Sequence, residues 1–194
     1  MRVLLVLLLA LVACKEREPR ASQPERKMYM IGQLPEFEFQ EVNARGIKRD
    51  DMIGKVWIAA TVFTRCPTHC PAMCQEMYKL QQEFGDEGDF RMMTITVDPA
   101  FDTIDVLAKY AKSYYAKPDV WYFVRHPRRE PIRKFVMEGL KIEWNAEEPL
   151  IHSERLALID KDGVMRGGYP RSDPDAMKSL RKHVRELLDT PAKQ

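Results

Sequence analysis

The chain has 194 residues, 45% of them hydrophobic and 31% charged, with a formal net charge of +2. That length is enough for one domain with a sizeable core, and the composition is that of an ordinary globular protein rather than a disordered or fibrous one. A charge so near zero gives no support to nucleic-acid binding. Even the densest basic run, Arg125 to Lys134, is broken by acid and proline and reads as a solvated face, with a docking patch as the minority reading.

The chain starts with MRVLLVLLLALVAC, in which a positive residue precedes an apolar run from Val3 to Ala13. The run is far short of the roughly 20 residues that span a bilayer and suits a secretory signal over residues 1–13. Its last four residues, Leu11-Val12-Ala13-Cys14, resemble a bacterial lipobox, in which the cysteine becomes the lipidated first residue of the mature protein. The expectation is therefore an exported protein on the periplasmic side of the cell envelope, anchored to a membrane by acyl chains on Cys14. Lys15 stands where an aspartate would favour inner-membrane retention, so outer-membrane sorting is allowed in a Gram-negative host. Setting Cys14 aside leaves three cysteines, which export would place in an oxidising compartment.

Residues 15–27, KEREPRASQPERK, carry charge and proline but almost nothing apolar, so 14–33 is expected to be a tether and 34–190 the folded domain. Phe37 and Phe39 alternate with Glu36 and Glu38, predicting a half-exposed strand. KVWIAATVF (55–63) is apolar on both faces, as a central strand covered by helices would be. From Cys70 to Phe84, Met73, Cys74, Met77, Leu80 and Phe84 recur at helical spacing. FRMMTITV (90–97) is a second buried strand, and Asp102 is placed to cap a helix with Ile104, Leu107, Ala108, Ala111 and Tyr114 on its apolar side. VWYFV (120–124) predicts a strand, and Pro131 to Gly139 a short helix closed by glycine. Arg155 to Asp160 and Val164 to Tyr169 flank a Lys-Asp-Gly turn and predict a hairpin; Asp173-Pro174 opens a last helix. The alternation implies an α/β fold, with a central mixed sheet and helices on both faces.

The chemistry concentrates in TRCPTHCPAMC (64–74), just after the central strand, where sites of open α/β sheets gather. Pro71 cannot donate the hydrogen bond of an interior helical position, so an irregular turn is expected from Cys66 to Cys70 and a regular helix from about Pro71. Cys70, near the helix N-terminus, would have its thiolate favoured by the dipole. Two such sulfurs form a reversible disulfide or bind a soft metal ion, and the residues alone leave both open. The spacing is one residue longer than the Cys-x-x-Cys of thioredoxin, and the threonine and proline that precede a peroxiredoxin cysteine are replaced by Phe63 and Ala59. Cys74, on the apolar stripe, reads as a buried free thiol rather than a third ligand, with oxidation to a disulfide with Cys70 as the alternative. Among the histidines, His183 and His126 read as solvated and His69 as pointing to solvent. His152, just before the strand at Arg155, is the candidate imidazole ligand, because a loop entering an adjacent strand can reach the cysteines. Asp98 closes the second strand on the same sheet edge and is placed to tune a thiol or orient a ligand.

The combination Phe63-Thr64-Arg65-Cys66-Pro67-Thr68-His69-Cys70-Pro71, Val97-Asp98-Pro99 with Asp102-Thr103, and His152-Ser153 before a strand resembles the Sco/SenC family over about residues 34–188. The resemblance implies a thioredoxin-like fold that carries copper, as Cu(I) or Cu(II), on Cys66, Cys70 and His152, with Asp98 close by. It further implies assistance in assembling the binuclear copper centre of cytochrome c oxidase, by delivering copper, by reducing the cysteines of the copper-site subunit, or both, with a thiol reductant as a further partner. A thiol-disulfide reductase of the envelope that uses no metal is the competing expectation. Cys74 is an extra thiol relative to the family pattern. Ile104 replaces the proline that often follows Asp-Thr, a change confined to helix capping.

Overall fold

The structure, a computed structural model, describes residues 26–144 and 153–191. Its centre is the run that is apolar on both faces: β4 (Val56–Val62) is buried at every position, as a strand covered from two sides must be. β5 (Phe90–Thr96) and β6 (Trp121–Arg125) pair in parallel, in that order, on one side of β4. On the other side lies the hairpin of β7 (Arg155–Ile159) and β8 (Val164–Pro170), with β7 antiparallel to β4. Gly163, at φ +74°, makes the turn of that hairpin in the left-handed region where a side chain is strained. Short strands complete the eight-stranded sheet. β1 (Gly32–Gln33) pairs with β8 at one edge, and β2 (Glu38–Glu41) pairs with β6 and with the other edge strand, β3 (Gly46–Lys48).

The one-turn helix α1 (Arg49–Met52) follows β3. The two parallel crossovers carry α2 (His69–Phe84) and α3 (Ile104–Ser113), and right-handed crossovers in one direction put both on the same face. The final helix, α5 (Pro174–Asp189), lies beside α2, where Arg181 bonds Glu76 and Glu83 at 2.6 and 2.9 Å. The opposite face is covered by α4 (Arg129–Lys134), which continues into a π-helical turn (Phe135–Gly139). There Phe135 meets Phe37 and Phe39 edge-on, and Phe37 in turn contacts Trp57. A mixed sheet with helices on both faces is thus what forms.

Four local expectations are corrected. The cap of α3 is Thr103, whose side chain accepts from the Val106 N–H, while Asp102 turns inward and is fully buried. Gly139 does not close its helix through a left-handed turn. It is buried where a Cβ would sit 3.1 Å from Pro35 and 3.2 Å from Leu34, and the left-handed residue is Lys141 at φ +54°. His183 is not solvated: it is 4% exposed, with its Nδ1 2.6 Å from the Tyr169 hydroxyl. Arg125 belongs to the fold rather than to a solvated face, donating to the carbonyls of Asp102 and Pro99 at 3.0 and 2.9 Å.

Candidate functional site

Three parallel strands end together, and the residues just beyond their carboxyl ends form the site. The chain leaves β4 through Phe63 and Thr64, turns back with the Cys66 N–H on the Phe63 carbonyl at 3.1 Å, and enters α2 at His69. Pro71 is tolerated because it falls in the first helical turn, where a missing N–H breaks no ladder bond. The irregular turn from Cys66 and the placement of Cys70 at the start of the helix are as expected.

Both sulfurs are free thiols and both are buried, at 3% and 4% exposure. The Cys70 N–H donates to the Cys66 sulfur at 3.4 Å, and the Phe63 N–H donates to the Cys70 sulfur at 3.4 Å. The protonation of the two sulfurs differs, and the difference reverses the expectation that Cys70 would be the favoured thiolate. For Cys66, burial opposes ionisation, but the N–H groups of Cys70, Thr68 and His69 and the Cys70 thiol outweigh it and lower the pKa. For Cys70, burial dominates and raises the pKa against the single N–H of Phe63, and the neighbouring sulfurs raise it further. The helix N-terminus therefore acts on the sulfur that its N–H groups point at, which is four residues earlier in the chain. A thiolate at Cys66 with a thiol at Cys70 is an attacking and a resolving sulfur; the same pair is a two-sulfur platform for a soft cation.

Cys74 stands apart. It is fully buried on α2, 3.9 Å from the Tyr110 hydroxyl, and burial pushes its thiol up to about 12. Residues four apart in a helix hold their Cβ atoms about 5–6 Å apart, beyond the roughly 4.5 Å limit of a disulfide, so Cys70 and Cys74 cannot join without unwinding the helix.

Asp98 and Asp102 hold the loop. Asp102 receives the Thr64 N–H at 3.3 and 3.2 Å, the Thr64 hydroxyl, and the Thr96 hydroxyl at 2.5 Å. It ties the end of β4 to the end of β5 two residues before Cys66. Thr96 in turn accepts from the Asp98 N–H at 3.0 Å. Asp98 lies on the expected sheet edge and is 2% exposed, but its carboxylate pairs with guanidinium groups rather than sulfur: Arg65 at 2.8 Å and Arg129 at 3.8 Å. Sequence reasoning missed Asp102; the nearby threonines Thr64 and Thr96 were the available sign, since hydroxyls at strand ends need buried acceptors.

His69 is half exposed, as expected, yet engaged: its Nδ1 is 2.9 Å from Glu154. Glu154 also takes Arg171 at 2.8 Å. These contacts with His69, together with Ser172 and Arg171, hold the Glu154 carboxyl well below the usual carboxylate range, at about 2. The cysteine loop is thereby joined to the start of β7. His152 and Cys14 lie outside the described residues. Among the described residues no group of three His, Cys, Asp or Glu is arranged to hold a metal ion, and no helix is long and apolar enough to cross a membrane.

A parallel strand ending on a Cys-x3-Cys loop at a helix start, with an antiparallel hairpin and helix completing the sheet, defines a thioredoxin-like protein with a wider sulfur spacing. The SCO1/SenC family model matches residues 29–189, and the chain belongs to that family. The SCO1 protein homolog of Bacillus subtilis is 30% identical over 137 residues, 69% of this chain and 71% of that protein. A SCO1/SenC family lipoprotein from Bacillus anthracis superposes with a TM-score of 0.75 at 25% identity, covering 86% of this chain and all of the other. BsSco, described as a member of the Sco family of cytochrome c oxidase assembly proteins with a disulfide switch, gives 0.71 at 25% identity over 81% and 94%. ScoI of Bradyrhizobium japonicum, solved with copper bound, shares the fold at 16% identity, with a TM-score of 0.64 over 80% and 99%.

Proposed function

We propose that this chain is a membrane-tethered copper-binding assembly factor. It delivers copper to the binuclear copper site of cytochrome c oxidase, reduces the cysteines of that site, or does both. The observation that carries this reading is the free Cys66–Cys70 pair at the carboxyl end of β4, one sulfur acidified by backbone N–H groups and the other held protonated by burial. The donor chemistry fits copper: thiolate sulfur is soft, and imidazole serves both oxidation states. Cys66, Cys70 and His152 would hold the ion, with His152 supplying the nitrogen. The bond between His69 and Glu154 supports this choice, since it ties the residue two positions after His152 to the sulfur loop.

Each remaining group then has a task. Asp102 fixes the direction in which the chain leaves β4, and so the place of Cys66. Asp98 holds Arg65 beside Cys66. The loop's place at the surface lets a partner's ligands replace these sulfurs one at a time. Copper and a Cys66–Cys70 disulfide exclude each other, so a thiol reductant is needed to reset the oxidised chain. Lipidation at Cys14, after removal of residues 1–13, would anchor the domain of residues 34–190 on the periplasmic side of the envelope through the tether of 14–33.

The test is copper binding by the reduced full chain and its His152→Ala variant. The expected result is one copper per chain in the parent, and Cu(II) affinity lowered by about 10-fold or more in the variant with the disulfide couple little changed. Equal Cu(II) affinity in the two proteins removes His152 from the site. Sustained turnover of a model disulfide with copper chelated, and no metal in protein taken from its native compartment, would favour a reductase instead.

A further inference from the structure

The carboxyl edge of the parallel strands carries more positive charge than the fold consumes. Arg125 is used structurally by two carbonyls. Arg65, next to Cys66, is 53% exposed although its Nε bonds the buried Asp98. Arg129, 41% exposed, shares that same carboxylate at 3.8 Å, and Arg128 beside it is exposed. One buried carboxylate thus serves two exposed guanidiniums. Glu130, the acid nearest in sequence, is bound by Arg133 at 2.7 Å. Beside Arg65, Phe101 is 50% exposed, with the Arg65 guanidinium 5.3 Å from its ring centre. A large aromatic ring left half in water and roofed by arginine is a composition enriched in protein interfaces.

These residues are contiguous with the sulfur pair: Arg65 precedes Cys66, Asp98 joins Arg65 to Arg129, and Phe101 lies under Arg65. From this arrangement we infer that the face formed by Arg65 and Arg129 beside Phe101 is a docking surface for an acidic polypeptide whose cysteines exchange with Cys66 and Cys70. The inference rests on the reactive pair described above and not on copper. An anionic bilayer would also meet arginines, but it offers no thiol to a redox pair that these arginines border, and a polypeptide supplies both carboxylates and sulfur. Its chemistry is balanced. A partner thiolate attacks one sulfur of the Cys66–Cys70 disulfide and the other leaves as thiolate; the second partner thiol then attacks the mixed disulfide. Two electrons and two protons pass from the partner dithiol to Cys66 and Cys70.

The test uses the metal-free full chain, oxidised to the Cys66–Cys70 disulfide, and two synthetic dithiol peptides of one core sequence, flanked by glutamates or by lysines. Each second-order rate is divided by that of the uncharged dithiothreitol on the same protein, so general changes in reactivity cancel. At low salt the acidic peptide is expected to react about 10-fold faster than the basic one. The preference should shrink to within about 2-fold at roughly 0.5 M salt, where screening reaches only a few ångströms. Arg129→Glu should abolish or invert it, and the milder Arg129→Gln should reduce it. Phe101→Ala should slow both peptides alike. Equal rates for the two peptides in the parent chain overturn the proposal, as does a preference that survives Arg129→Glu. Binding of the parent chain to vesicles of anionic phospholipid through these arginines, without any peptide preference, would assign the face to a membrane instead. A chain that binds no copper yet discriminates the peptides would overturn the copper reading and leave this one standing.

Discussion

Cys66 and Cys74 flank the same helix start, eight residues apart, and both are buried free thiols. Their chemistry is nevertheless opposite. Cys66 lies where the unbonded N–H groups of a helix entrance converge, and its pKa is lowered. Cys74 lies one turn inside the ladder, where the N–H groups are already used, and it meets the Tyr110 hydroxyl at 3.9 Å. Burial raises both, most strongly Cys74, and only Cys66 has the backbone donors to outweigh it. Cys70 lies between them in position and takes the fate of the core, because Phe63 gives it a single N–H against its burial.

The largest expected effect is kinetic. With Cys74 pushed up to about 12 and Cys66 below its ordinary value of 9.0, their thiolate fractions at neutral pH differ by more than 1000-fold. The lower nucleophilicity of the more acidic sulfur cancels about half of that on a logarithmic scale, so alkylation at Cys66 should be at least ~30-fold faster than at Cys74. Peptide mapping of briefly alkylated, reduced chain checks this. Comparable labelling of the two would mean that the donors around Cys66 do not act on it.

Next comes the clamp that holds the loop. Asp102→Ala leaves Thr64 and Thr96 without their buried acceptor and should lower stability by about 3 kcal/mol in denaturant unfolding. It should also narrow the alkylation gap between Cys66 and Cys74, because the loop loses its fixed exit from β4. A destabilised variant with the gap unchanged would confine Asp102 to a structural role.

The last effect is absent at neutral pH and concerns the core thiol. Cys74 has a folded pKa raised above its unfolded one, so its contribution is fully present below the unfolded pKa and is lost as pH rises through the folded value. Between pH 9 and about 12 the parent should lose stability relative to Cys74→Ala, by at most about 1.4 kcal/mol per pH unit. Below pH 9 the difference between the two should not depend on pH. Thermal unfolding across that range reads both.

Much of this was legible in the chain. β4 shows in an unbroken apolar run, the hairpin in Lys161-Asp162-Gly163, and α5 in Asp173-Pro174, because each depends on local chemistry. The sulfur loop was legible from Pro71 and the strand before it. What escaped depends on contacts between distant segments. Asp102 looks like a cap until Thr64 and Thr96 arrive from two other strand ends. His183 was within reach, since it falls beside Leu180, Val184 and Leu187 on the buried stripe of α5, but its polarity hid it until Tyr169 supplied a partner. The identity of the acidified thiol escaped as well, because it turns on where N–H vectors point and not on position in the sequence.

The measurement that bears most directly on the central claim is the visible spectrum after adding Cu(II) to the reduced full chain and to three single variants. Sulfur ligation gives a thiolate-to-copper charge-transfer band. The account predicts that band in the parent and in Cys74→Ser, and its loss in both Cys66→Ser and Cys70→Ser. A band that survives in Cys66→Ser or Cys70→Ser, or vanishes in Cys74→Ser, would contradict it.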